Sequence, residues 1–219
     1  MRYLRLPRTS LLVFAAFAAL VLAAPGAQAQ VGEQNAFFAG PGTHGALLNG
    51  APLLPGTAVM AGETVTTSPG GVAVLAPTHG SGGVLELTAN AVATVRPGVL
   101  TGGVGTDQLN VAHGDIMATG NVSVNTPQGQ TFHSVTSNSS YMLNVNPQKT
   151  SMGVLQGSVA TFNAIQPSAA TTVPAGNAVQ VDTSANGQAQ LSNIKLNQVT
   201  KPAVSAAVPQ TITASQSGG

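Results

Sequence analysis

The chain has 219 residues, of which 43% are hydrophobic and 6% charged, with 26 glycines, 14 prolines, no cysteine and no tryptophan. So little charge on so apolar a chain excludes a solvated disordered polymer. The lack of cysteine excludes disulfides, thiol catalysis, a lipidated cysteine and thiolate metal sites.

The first 29 residues stand apart from the rest. Arg2, Arg5 and Arg8 precede an apolar run from Leu11 to Ala24, and Ala27 and Ala29 supply the small residues a signal peptidase accepts. The sequence predicts a secretory signal over 1–29, cleaved after Ala29. The run is shorter than the ~20 residues of a membrane-spanning helix, so no transmembrane anchor is expected after cleavage and the compartment is periplasmic or secreted. Cleavage leaves Arg96, Lys149, Lys195 and Lys201 against Glu33, Glu63, Glu86, Asp107, Asp115 and Asp182, a formal charge of −2. Four scattered cations cannot neutralise a phosphate backbone, which argues against nucleic acid as a partner.

An N-terminal segment, 30–43, leads into the expected β domain over 44–192. Helix formers are scarce there, whereas Val, Thr, Ser, Gly and Asn abound, which favours strands. The stretch PGTAVMAGETVTT (55–67) reads as two short strands, 57–60 and 63–67, each introduced by a turn, at Pro55-Gly56 and at Ala61-Gly62. Period-two alternation recurs in VAVLAP (72–77), VLELT (84–88), NVSVNT (121–126), SYMLNVN (140–146), GSVATF (157–162) and NAVQVDT (177–183). Between these runs lie turn signals: PGG (69–71), HGSGG (79–83), RPG (96–98), PQG (127–129) and NG (186–187). The late AGNAVQVDT (175–183) echoes AGETVTT (61–67), each placing a strand after Ala-Gly. The predicted fold is all-β, with short strands stacked as a jelly roll, sandwich or solenoid-like coil. Residues 193–219, with Pro202 and Pro209 among Ala, Ser and Thr, are expected to form a flexible tail.

Candidate chemistry is sparse. Glu63 follows Gly62 with no second acid in its motif, so its carboxylate is expected to brace the turn by accepting backbone N–H groups, not to act as a general acid. Asp107, His113 and Asp115 could join one of Ser137, Ser139 and Ser140 in a triad only if the fold united them, and no serine sits in a nucleophile elbow. His44, His79, His113 and His133 are too widely spaced to read as a metal site. TGGVGT (101–106) lacks the Lys and the helix of a phosphate loop and reads as a hairpin tip. Phe37, Phe38, Phe132, Tyr141 and Phe162 are expected in the core, and Asn121 and Asn138 head glycosylation acceptor triplets. No catalytic, cofactor or metal residue is assigned, and no enzyme activity is expected.

The order of these signals resembles the FecR-type periplasmic domain. An NGxP turn, a second glycine turn and a GDxVxT element are similar to Asn49, Gly50, Pro52, Gly56, Val59, Gly62, Glu63, Val65 and Thr67, with glutamate in place of the family's aspartate. NTPQGQTF (125–132), VLQGSV (154–159) and PAGNAV (174–179) are similar to its later elements, so the resemblance covers about 44–183. Too few residues precede the apolar run for the cytoplasmic segment of the FecR sensors, so the resemblance implies a stand-alone exported form. It implies a non-catalytic domain with a binding, sensing or envelope-scaffold role. The many strands and few charges add the expectation that an open ladder takes up a strand of its partner, an envelope protein or surface ligand. A secreted polysaccharide-active β-helix enzyme and a surface or matrix structural protein are the alternatives.

Overall fold

The structure is a computed structural model that describes residues 35–78, 82–88, 90–101, 104–163, 166–184 and 188–199. The expected signal, the turn signals at 79–81 and 186–187, and the tail beyond residue 199 lie outside the described residues.

The described chain is built of strands: β1 (Asn35–Ala39), β2 (His44–Leu48), β3 (Ala51–Pro52), β4 (Ala58–Met60), β5 (Thr64–Pro77), β6 (Gly83–Thr88), β7 (Val92–Thr101), β8 (Val104–Gly120), β9 (Ser123–Asn125), β10 (Gln130–Ser134), β11 (Ser140–Val145), β12 (Lys149–Gln156), β13 (Ser158–Asn163), β14 (Gln166–Pro174), β15 (Ala178–Thr183) and β16 (Ala189–Ile194). A 3₁₀ turn over Leu196–Gln198 follows. The all-β expectation is met. No helix among the described residues is long and apolar enough to cross a membrane.

Strands β5 and β8 organise the molecule, and both are far longer than the runs read from the sequence, at 14 and 17 residues. Thr64–Thr66 of β5 pair with β7, while Val72–Leu75 pair with β6. Likewise Gln108–Val111 of β8 pair with β7, and Ile116–Gly120 pair with β6. Each long strand therefore begins in one layer and ends in the other, and bulges make the corners. In β5 the corner is Ser68–Gly71, where the register against β2 slips between Ala46↔Thr67 and His44↔Val72. In β8 it is Ala112, skipped between Val92↔His113 and Ala93↔Val111. The PGG and RPG signals, read as turns, are corrected here. Both lie inside strands, because proline and glycine serve a bulge as well as a turn. At Gly71 a Cβ would strike the Gly45 carbonyl, so two backbones meet where no side chain fits.

From β8 one layer runs through β9, β10 and β13 to β14, and the other through β11, β12 and β15 to β16. All pairs are antiparallel except β8–β9, and that exception follows from the crossing: the chain leaves β8 in the second layer and must return to the first. The described strands form one continuous 16-stranded sheet whose two halves face each other across a shared core. That core draws Leu109, Val124, Phe132 and Val159 from the first layer and Leu143, Met152, Val154, Val179 and Val181 from the second. Tyr141 is fully buried between them and its hydroxyl donates to the Phe132 carbonyl at 3.4 Å. Gln128 ties the layers at one end, accepting from Thr150 Oγ1 at 2.7 Å and donating to the Asn146 carbonyl at 2.8 Å.

Both expected domain limits shift outward. β1 lies within the segment 30–43, pairs with β4 and β5, and buries Phe37 completely. At the other end β16 continues to Ile194, and Leu196 and Val199 fold onto a second apolar cluster with Met117, Met142, Ala178 and Ile194 on the outer surface of the second layer. Residues 193–199 are docked, contrary to the expectation for 193–219, because Gly153 leaves a gap that Leu196 fills. A Cβ at Gly153 would strike Leu196 Cδ1 and would lie 3.1 Å from Met142 Cε.

One backbone device closes three corners. At 54–57, 60–63 and 174–177 the last N–H donates to the first carbonyl, and the third residue is a glycine with φ of +85°, +90° and +82°. This is the type II turn, whose third position favours glycine. Each glycine N–H also donates to a residue on another segment, and that residue's N–H returns a bond to the carbonyl just after the glycine. The receiving residues are Ala39, Val95 and Val154, with all six bonds between 2.7 and 3.0 Å. The Ala-Gly echo in the sequence is two of these clasps.

Candidate functional site

Glu63 occupies the middle clasp. Its Oε2 accepts the Met60 N–H at 2.7 Å and its Oε1 accepts from Asn49 Nδ2 at 3.0 Å. Asn49 Oδ1 in turn accepts the Thr64 N–H at 2.9 Å. Asn49 has φ +50° and Gly50 φ +86°, the type I′ hairpin geometry that Asn-Gly favours. The carboxylate therefore locks two turns together, which is the bracing that its motif predicts.

The remaining predicted residues are dispersed. Asp115 accepts from Asn144 Nδ2 on the adjacent strand, while His113 is exposed on β8. Ser140 pairs with Thr119, four residues further along β8 than Asp115, or about 14 Å at the usual rise per residue. Ser137 is exposed. Ser139 is buried, and its hydroxyl donates to the Ser158 carbonyl at 2.7 Å, a bond that pins the 136–139 turn to β13. The fold does not unite the imagined triad. The side chain of Asp107, His79, and the tip of the hairpin at 101–106 lie outside the described side chains.

His44 hydrogen-bonds the Gly42 carbonyl through Nδ1 at 2.6 Å, at the entry to β2. His133 Nδ1 bonds Ser123 Oγ at 2.7 Å on the first layer, and burial lowers its pKa below the ordinary imidazole value. Among the described residues no three His, Asp or Glu side chains converge as a metal set would. Phe37, Phe132 and Tyr141 are buried as expected; Tyr141 is held well above the ordinary phenol pKa by burial, partly offset by Ser134. Phe38 departs from the expectation at 44% exposed, since it alternates with Phe37 along β1. Phe162 is half-buried on the outer face of β13. Asn121 and Asn138 both lie in loops, after β8 and before β11.

Among the described residues the densest side-chain network lies elsewhere, on the outer face of the first layer. Val95, Leu109, Val124 and Phe132 point into the core, so their alternates point outward. Cross-strand register then places Arg96, Gln108, Ser123 and His133 in one row and Thr94, Asn110, Asn125, Thr131 and Phe162 in the next. The Asn125 amide contacts those of Asn110 and Gln108 at 2.9 and 3.2 Å and the Thr131 hydroxyl at 2.7 Å. A guanidinium can only donate, so Asn110 turns its oxygen to Arg96, 2.5 Å from Nε and 3.1 Å from Nη2, and its nitrogen towards the Asn125 amide, which can accept only through its own oxygen. These residues are spread over 96–162 in the chain and no local motif announces them. Only the β8 crossing and the parallel β9 bring them together.

No protein-family model and no curated protein sequence matches the chain. Two crystal structures of a protein described as a "putative anti-sigma factor" from Parabacteroides distasonis, at 1.65 and 2.50 Å, are similar to it. Both are 13% identical, with TM-scores of 0.45 and 0.44, and each match spans 61% of this chain and 61% of that one.

Proposed function

We propose that this chain is an exported, non-catalytic β domain of the FecR-like kind, which acts in the cell envelope by binding a protein partner through strand addition. The amino-terminal signal features support export. The tying of Glu63, Asp115 and Ser139 into turns and ladders supports a binding role over a catalytic one, since a reacting group must be free to meet a substrate.

The observation that carries the reading is β16. It ends the strand path, pairs in regular register with β15 over six residues, and has no other partner strand among the described residues. Gln190 to Asn193 are exposed, and AQLSNI contains no lysine, proline or acid to blunt the edge. Leu191, 40% exposed, pairs with Val181 and so sits on the core side of that edge. Unpaired N–H and C=O groups beside a half-covered leucine form a template for an incoming extended segment.

The test is fractionation of cells that carry a photo-crosslinking residue at Gln190, with Lys149 as the comparison position. The expected result is a chain that begins after residue 29 in the exported fraction and an envelope protein crosslinked from 190 and not from 149. Leu191→Lys should abolish that crosslink without unfolding the domain. An intact amino terminus in the cytosol, or equal crosslinking from both positions, would refute the reading.

A further inference from the structure

The outer face of the first layer supports a second inference, independent of β16. On the geometry of Arg96, Gln108, Asn110, Asn125 and Phe162, with the buried Thr131 holding Asn125 in place, we infer that this face binds an acidic polysaccharide of the uronate type. Arg96 is exposed, and the group it bonds is the neutral Asn110 amide, so its charge is not compensated by that partner. Among the described side chains no carboxylate occupies these two rows. A guanidinium presents a planar fork that matches a carboxylate.

The rest of the face matches the rest of such a ligand. Sugar hydroxyls both donate and accept, as do the partly exposed amides of Gln108, Asn110 and Asn125, whereas a row of lysines would only donate. Phe162 ends the amide row and offers an apolar surface to the C–H side of a sugar ring. From β7 to β13 the row crosses four strand spacings, about 19 Å at the usual separation, so an extended polymer has room to lie across the strands. The remainder of the exported chain has more acids than bases, and binding of a polyanion must therefore rest on this local charge.

The experiment measures binding of the exported chain to polygalacturonate, with uncharged dextran as the control, by calorimetry and by migration in polymer-loaded gels. Polygalacturonate should bind and dextran should not. Arg96→Gln should weaken binding about tenfold, the loss of one charge-assisted contact, with unchanged circular dichroism. Arg96→Lys, which keeps the charge without the fork, should fall between. Lys149→Gln, which removes the same charge from the other layer, should bind as the native chain does. No binding of polygalacturonate, equal binding of dextran, full affinity in Arg96→Gln, or an equal loss in Lys149→Gln would each overturn the inference. Because β16 is untouched by these variants, none of the outcomes bears on strand addition.

Discussion

Glu63 shows how much one side chain can do in a chain with so few charges. Its two oxygens serve different turns, one taking a main-chain N–H and the other the Asn49 amide, so its removal should loosen both. Glu63→Ala is expected to lower stability by about 1 kcal/mol, the usual worth of a lost capping or turn bond at a partly exposed site. Glu63→Gln keeps one acceptor oxygen and should lose less. Urea midpoints measure both changes, and a Glu63→Ala protein as stable as the native one would show that the brace contributes nothing. The position and bracing role of this residue were legible in the sequence, because a Gly-acid pair after a strand leaves the carboxylate little else within reach. Arg96 was not legible. Its partner Asn110 lies across a hairpin and is otherwise an ordinary polar position on an alternating strand.

At the scale of elements, the turns were easier to read than the strands. Asn49-Gly50, Pro55-Gly56, Ala61-Gly62 and Ala175-Gly176 announce corners because glycine there has positive φ. The same two residue types inside β5 and β7 mark bulges, and only the neighbouring strand distinguishes the two uses. The docked carboxyl-terminal turn was hidden for a related reason, since the complement of Leu196 is the missing side chain of Gly153 on a different strand. Gly153→Val should therefore expel Leu196. The amides of 196–199 should lose protection from hydrogen exchange while those of β11 and β12 keep theirs, at a cost of about 1–3 kcal/mol for overpacking. Unchanged protection at 196–199 would show that the turn is held by something other than this gap.

For the whole molecule, alternation and composition sufficed for an all-β fold, but they could not show how the layers are joined. That depends on β5 and β8, whose crossings make each layer incomplete without the other. Unfolding is then expected to be a single cooperative event. Tyr141, between the layers, and the far-UV signal of all the strands should lose native character at one denaturant midpoint; two separated midpoints would mean that the layers come apart independently.

The three clasps carry a consequence for how such a protein diverges. Their bonds run between main-chain atoms, and beyond a glycine they ask for no particular side chain. Substitutions can accumulate around these joints while the path of the polypeptide is kept, so distant kin of this molecule should share the intervals between corner glycines long after they cease to share residues.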